Sequence, residues 1–199
     1  MARTRAEDFE EKQHQLLLTA AHVFATQGMD KASMSQIALE AGVSKSLLYH
    51  YYPSKDALIF AIIHTHLNEL ETALQRATDP DLPPGPRLEK LVLTMLEQYR
   101  GADDQHIVQL NAGQALSDDQ RVRLLQLERR IVRHFSAVIC EIHPILDRPE
   151  RPLLMPVTMS LFGMLNWVYM WFRDGGPVSR EDYAKLATTL ILEGVKAVR

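Results

Sequence analysis

Apolar residues recur along the chain at three- and four-residue spacing, and no segment alternates with period two for more than a few residues. The pattern predicts helix nearly throughout. It is punctuated at Gly28, Gly42 and Pro53, and at the breaker-rich stretches 79–86 (DPDLPPGP), 143–152 (HPILDRPERP) and 175–177 (GGP). A first helix over residues 7–27 places Leu17, Ala20, Ala21 and Phe24 on one stripe, and Gly28 suits its C-terminal stop. Segments 33–41, 44–51 and 54–77 follow, each opening on a serine that can accept hydrogen bonds from orphan amides. The last of these would be roughly 35 Å long at 1.5 Å per residue, enough to serve two substructures. Helices are then expected over 86–100 and 105–116, then from a capping box at Ser117–Gln120 to residue 142, then over 153–173 and 179–198. The fold class is all-α.

The two short segments meeting at Gly42 have the form of a helix-turn-helix. Ile37, Ala38, Val43 and Leu48 can pack inward on Leu17, Ala20 and Phe24, and Gly42 permits a left-handed turn. That leaves Lys45, Ser46, Leu47, Tyr49 and His50 outward, on the part of a reading helix that enters the major groove. Lys45 can reach a base edge or phosphate, Ser46 can donate or accept, and Leu47 can press a thymine methyl. Tyr49 and His50 have the reach for phosphate oxygens. Ser33 and Ser44 offer hydroxyl and amide groups to the DNA backbone, and Lys55 opens the next helix, where an anion is favoured. Tyr52, before Pro53, reads as a core aromatic with a wet tip. Arg3 and Arg5 read as an unstructured basic arm, with Glu7, Asp8, Glu10 and Glu11 directly behind.

Residues 16–58 resemble the DNA-binding domain of TetR-family transcriptional regulators. The resemblance rests on Leu16, Leu17, Ala20, Phe24 and Gly28, then Ile37 and Ala38, Ala41-Gly42-Val43-Ser44-Lys45, Leu48-Tyr49, and Pro53-Ser54-Lys55 with Leu58. Three positions depart from the family pattern. Tyr52 stands where phenylalanine is usual, Ser46 where glycine is common, and Leu47 where a small polar residue is common; the last two bear on operator sequence. The resemblance implies a helix-turn-helix DNA-binding domain, taken as residues 1–53, and a helical ligand-binding and dimerisation domain, taken as 54–199. It implies a homodimer joined through the last two helices, a near-palindromic double-stranded DNA operator, and a small-molecule effector that releases it.

Composition adds bounds. The 199 residues carry a net charge of −3, so any nucleic-acid affinity must come from local charge, such as Lys31, Lys45 and Lys55 against Glu40. One cysteine, Cys140, excludes an intrachain disulfide and fits a reducing, cytoplasmic setting. The N-terminus has no apolar run behind its arginines, so no signal peptide is expected. Segment 153–172 is apolar all round but interrupted by Pro156, Thr158, Ser160 and Asn166, so it reads as a buried bundle helix and no membrane partner is expected. A pocket needs apolar walls and a few polar groups. The candidates are Tyr99, His106, Gln109, Asn111, Phe162, Asn166, Trp167 and Trp171, for a moderately large apolar or aromatic effector. No cofactor, metal or catalytic set is expected. His64 and His66 are about 200° apart around a helix, Cys140 and His143 lack a third ligand, and no nucleophile elbow, phosphate loop or H-E-x-x-H is present. Two rivals stay open: a DNA-binding architectural protein without an effector, and a helical-bundle enzyme or carrier.

Overall fold

The computed structural model describes residues 2–113 and 115–198, the side chains of 2–10 excepted. The chain forms two compact units, Met1–Leu67 with Gly101–Leu125, and Asn68–Arg100 with Gln126–Arg199. This division differs from the boundary at 53/54 expected from the sequence. Pro53 marks a turn, whereas packing returns a later helix to the first unit.

The first unit holds α1 (Ala2–Gln27), α2 (Met34–Glu40), α3 (Lys45–Tyr51), the opening of α4 (Lys55–Ala77), α6 (Asp103–Asn111) and the opening of α7 (Asp118–Ile142). Leu16, Ala20, Ala21, Val23 and Phe24 of α1 are buried with Ile37, Ala38, Leu48, Leu58, Ile59 and Ile62. Helix α6 packs along α1, and His22 Nδ1 lies 2.9 Å from the Asp104 carboxylate. Helix α1 begins at Ala2, so the backbone of Arg3 and Arg5 is helical rather than an unstructured arm; their side chains lie outside the described residues.

The second unit holds the rest of α4 and α7 with α5 (Pro84–Gln98), α8 (Leu154–Asn166), α9 (Val168–Trp171) and α10 (Arg180–Lys196). Helix α10 packs on α5, with Leu192 lying beside Gly85. Ser179 and Asp182 close a reciprocal capping box at the start of α10. The buried Arg180 guanidinium donates twice to Asp174, at 3.0 Å, and once to the Leu96 carbonyl, at 2.7 Å. That bond to Arg180 holds the Asp174 carboxyl below the usual carboxylate range.

Two local features differ from the periodic pattern. The expected helix over 153–173 is interrupted at Trp167, where a tighter Met170–Trp167 turn separates α8 from α9. The break sits among aromatic rings, with Trp167 edge-on to Tyr169 and Trp171 edge-on to Tyr183. The 143–152 breaker stretch folds as a 3₁₀ turn (Pro144–Leu146) and a short antiparallel pairing of Asp147–Arg148 with Arg151–Pro152. No helix among the described residues is long and apolar enough to cross a membrane.

Candidate nucleic-acid interface

Helices α2 and α3 span only seven residues each, too short to persist alone in water. Caps and one buried face hold them. The Gln36 amide donates to Ser33 Oγ at 3.2 Å, the Leu47 amide to Ser44 Oγ at 3.1 Å, and the Ala57 amide to Ser54 Oγ at 3.0 Å. Between α2 and α3 the chain reverses through Gly42 at φ +65°, a conformation costly for any residue with a Cβ. The turn closes with the Val43 amide donating to the Ala38 carbonyl at 2.9 Å. Leu48, with 0% exposure, is the only fully buried side chain of α3. Tyr52 ends α3 in extended backbone before Pro53; its ring is buried, and its hydroxyl accepts from Gln13 Nε2 at 3.1 Å. Burial raises its pKa despite that bond.

With Leu48 buried and Tyr51 half-buried, the rest of α3 faces out. Ser44, Lys45, Ser46, Leu47, Tyr49 and His50 are all exposed, as is Ser33 at the head of α2. Lys45 Nζ stands 5.8 Å from the centre of the Tyr49 ring, one turn along, so cation and phenol share one patch. Leu47 also borders a shallow groove of about 450 Å³ with Leu16, Val43 and Tyr51. Lys55 is the exception. Its ammonium turns to the protein backbone and donates to the carbonyls of Met29 (2.6 Å), Asp30 (3.4 Å) and Ala32 (3.4 Å). The cause is local: α1 ends at Gln27, and the short connection to α2 presents several carbonyls to one side of the first turn of α4.

The proposed effector residues do not gather in one unit. His106, Gln109 and Asn111 belong to the first unit, and Tyr99, Phe162, Asn166, Trp167 and Trp171 to the second. In the second, the Tyr99 hydroxyl donates to Asn166 Oδ1 at 2.9 Å, while Phe162 is buried edge-on against Phe135. Burial first, and the nearby Glu128 charge second, push the Tyr99 phenol far above its ordinary pKa. Glu128 was not among the residues singled out from the sequence. Trp167 and Trp171 point outward, 57% and 48% exposed. An all-apolar helix does not declare which of its faces is core. In the first unit, His106 is buried near His66, and Asn111 borders an open cavity of about 670 Å³ with Phe24, Met29 and Ile107. Burial and the neighbouring His106 depress the His66 pKa to about 4.

Two short serine-capped helices joined at a left-handed glycine, with Leu48 buried and Lys45 and Tyr49 outward on the second, have the form of a helix-turn-helix. Residues 16–62 match the family model of tetR-family bacterial regulatory proteins, and residues 81–195 match the tetracyclin repressor-like C-terminal domain. The chain belongs to the TetR family of transcriptional regulators. It is similar to the HTH-type transcriptional repressor KstR2 of Mycolicibacterium smegmatis, at 24% identity over 92% of this chain and 90% of that protein. Among solved structures it resembles a TetR-family regulator from Bordetella parapertussis 12822, with 32% identity, a TM-score of 0.80, and coverage of 92% and 95% of the two chains. It also resembles AibR in complex with isovaleryl coenzyme A and operator DNA, with 25% identity, a TM-score of 0.74, and coverage of 91% and 98%. The chain is a DNA-binding transcriptional regulator, in a family of regulators rather than enzymes.

Proposed function

We propose that the protein is a repressor that binds a near-palindromic operator as a homodimer and releases it when a small effector binds. The observation that carries the reading is α3, whose outward face is Lys45, Ser46, Leu47, Tyr49 and His50 around a single buried anchor. Two copies of α3 would enter successive major grooves about 34 Å apart. Lys45 and Tyr49 would contact phosphates or base edges, and the capped starts of α2 and α3 would take backbone oxygens.

Support for dimerisation comes from the apolar surface of α8, α9 and α10. Met155, Met159 and Trp167, with Gly163 between the last two, follow a four-residue spacing and are exposed, as are Met170, Trp171, Leu186 and Leu190. So much exposed apolar surface marks an interaction site. Gly163 and Gly194 strengthen the case. Each sits inside a helix, where glycine costs about 1 kcal/mol relative to alanine, and a Cβ at either would meet nothing within 4 Å among the described residues. A second copy packed closely against α8 and α10 would account for a small residue at both positions.

For the effector, the Tyr99–Asn166 pair and Phe162 supply polar and apolar character in the second unit. Isovaleryl coenzyme A, the ligand named for AibR, makes short-chain acyl-coenzyme A thioesters the first probes. The test is operator binding by Lys45→Ala and Tyr49→Phe. Losses of about 1–3 kcal/mol are expected for a base contact and less for a phosphate contact, with the helical signal intact. Unchanged binding by both variants would remove α3 from the reading surface.

A further inference from the structure

We propose that Lys55 positions the DNA reader from within the protein: its ammonium clips the first turn of α4 to the α1–α2 connection, and so sets the angle at which α2 and α3 are presented. The proposal rests on α3 being the reader, and its test separates the two ideas.

The geometry is specific. One ammonium has three donors, and Lys55 Nζ has three carbonyls within 3.4 Å, those of Met29, Asp30 and Ala32. Ala32 is itself buried, and the next residue, Ser33, is the cap that starts α2. Helix α2 is tied in turn to the start of α3 by the Val43–Ala38 bond. A shift of the α4 start therefore reaches the α2 cap through a single side chain and one peptide unit. The connection runs from residue 28 to residue 33. Gly28 opens it at φ +83°, and the backbone bonds flanking it are Gly28 to Phe24 (3.0 Å) and Ala32 to Gly28 (3.2 Å). A lysine at the N-terminal end of α4 is also badly placed for the helix dipole, which favours anions there. Convergent carbonyls offset that cost in the free protein without any phosphate.

The clip and a phosphate contact make opposite forecasts. Loss of a phosphate contact weakens all duplexes alike and flattens the salt dependence, by about 0.9 in the log–log slope. Loss of a positioning clip weakens the cognate site, leaves non-specific duplex affinity alone and keeps the slope. The experiment compares the wild-type chain with Lys55→Met and Lys55→Arg. Each is measured against a duplex selected by the wild-type protein from a randomised library and against a scrambled duplex, across a salt series. Hydrogen–deuterium exchange of residues 28–36 is followed in the free proteins.

The clip predicts about a tenfold loss on the selected duplex for both variants, with scrambled-duplex affinity and salt slope unchanged and faster exchange in 28–36. Arginine fails with methionine because a planar fork cannot place three donors on carbonyls converging at one point. A parallel loss on both duplexes with a shallower slope overturns the proposal, as does wild-type affinity in Lys55→Arg. Should Lys55→Met fail to fold, Lys55→Arg alone decides by the same criteria. Lys45→Ala run alongside reports on the reader itself. Silence there with a loss at Lys55 indicts α3 as reader, whereas the reverse pattern indicts the clip.

Discussion

Replacing Gly163 by alanine adds one methyl to an exposed turn of α8, where nothing among the described residues lies within 4 Å of the new carbon. Within the chain the change can only help, because alanine is about 1 kcal/mol better than glycine in a helix interior. That gain is present in monomer and dimer alike, so it cancels in the dimerisation equilibrium. Against a partner helix seated on α8 the methyl overpacks, at about 1–3 kcal/mol for each insertion. A two-fold interface holds the position twice. Even the lower figure gives about 2 kcal/mol for the pair, a roughly 30-fold rise in dimer Kd. Sedimentation equilibrium across nanomolar to tens-of-micromolar protein reads the dissociation constant. Thermal unfolding at fixed low concentration reads the helix gain. A more stable chain with an unchanged or tighter dimer would refute the assignment of this glycine to the contact.

Other outcomes follow from the same structure. His66 is held neutral, with its pKa depressed from 6.5 to about 4, so the unfolded chain binds more protons between those values. Its contribution, about 3 kcal/mol at most, is full above pH 6.5 and lost as pH falls toward 4. Urea midpoints from pH 7 to 4 should drop steeply in the wild type and less in His66→Phe; equal slopes would exclude His66 as the source. Arg180→Met leaves the Leu96 carbonyl without its buried donor and should cost about 1–3 kcal/mol in urea unfolding, since Asp174 remains exposed to water. Gly42→Ala forces a β-carbon into left-handed backbone and should cost about 1–2 kcal/mol. Gly42→Asn should cost less, and equal stability of the alanine variant would show that the turn relaxes freely.

The parts of this fold that were legible in the sequence are those written in local chemistry. Serines 33, 44 and 54 cap because each precedes amides that have no other acceptor. Gly28 and Gly42 sit at positive φ, and Tyr52 is extended because proline follows it. The outward face of α3 was readable because one buried leucine fixes the phase of a seven-residue helix. What was not legible depends on partners distant in the chain. Lys55 looks like a free cation until carbonyls more than twenty residues away are brought to it. Trp167 and Trp171 satisfy an apolar pattern whether they face a core or another molecule, and periodicity alone does not choose. The interruption at Trp167 has no proline or glycine at that residue to announce it. Glu128 reads as one more charge in a polar run, although it lies close enough to act on the Tyr99 phenol.

The single inward side chain of α3 has a consequence for how this regulator can change. Leu48 is the one fully buried side chain of the element and Tyr51 is half-buried, while the five side chains at 45, 46, 47, 49 and 50 are exposed. For α3 as the proposed reader, target preference would thereby be separated from foldability. Those five letters can be rewritten, by drift or in a designed library, and the scaffold will still present whatever alphabet replaces them.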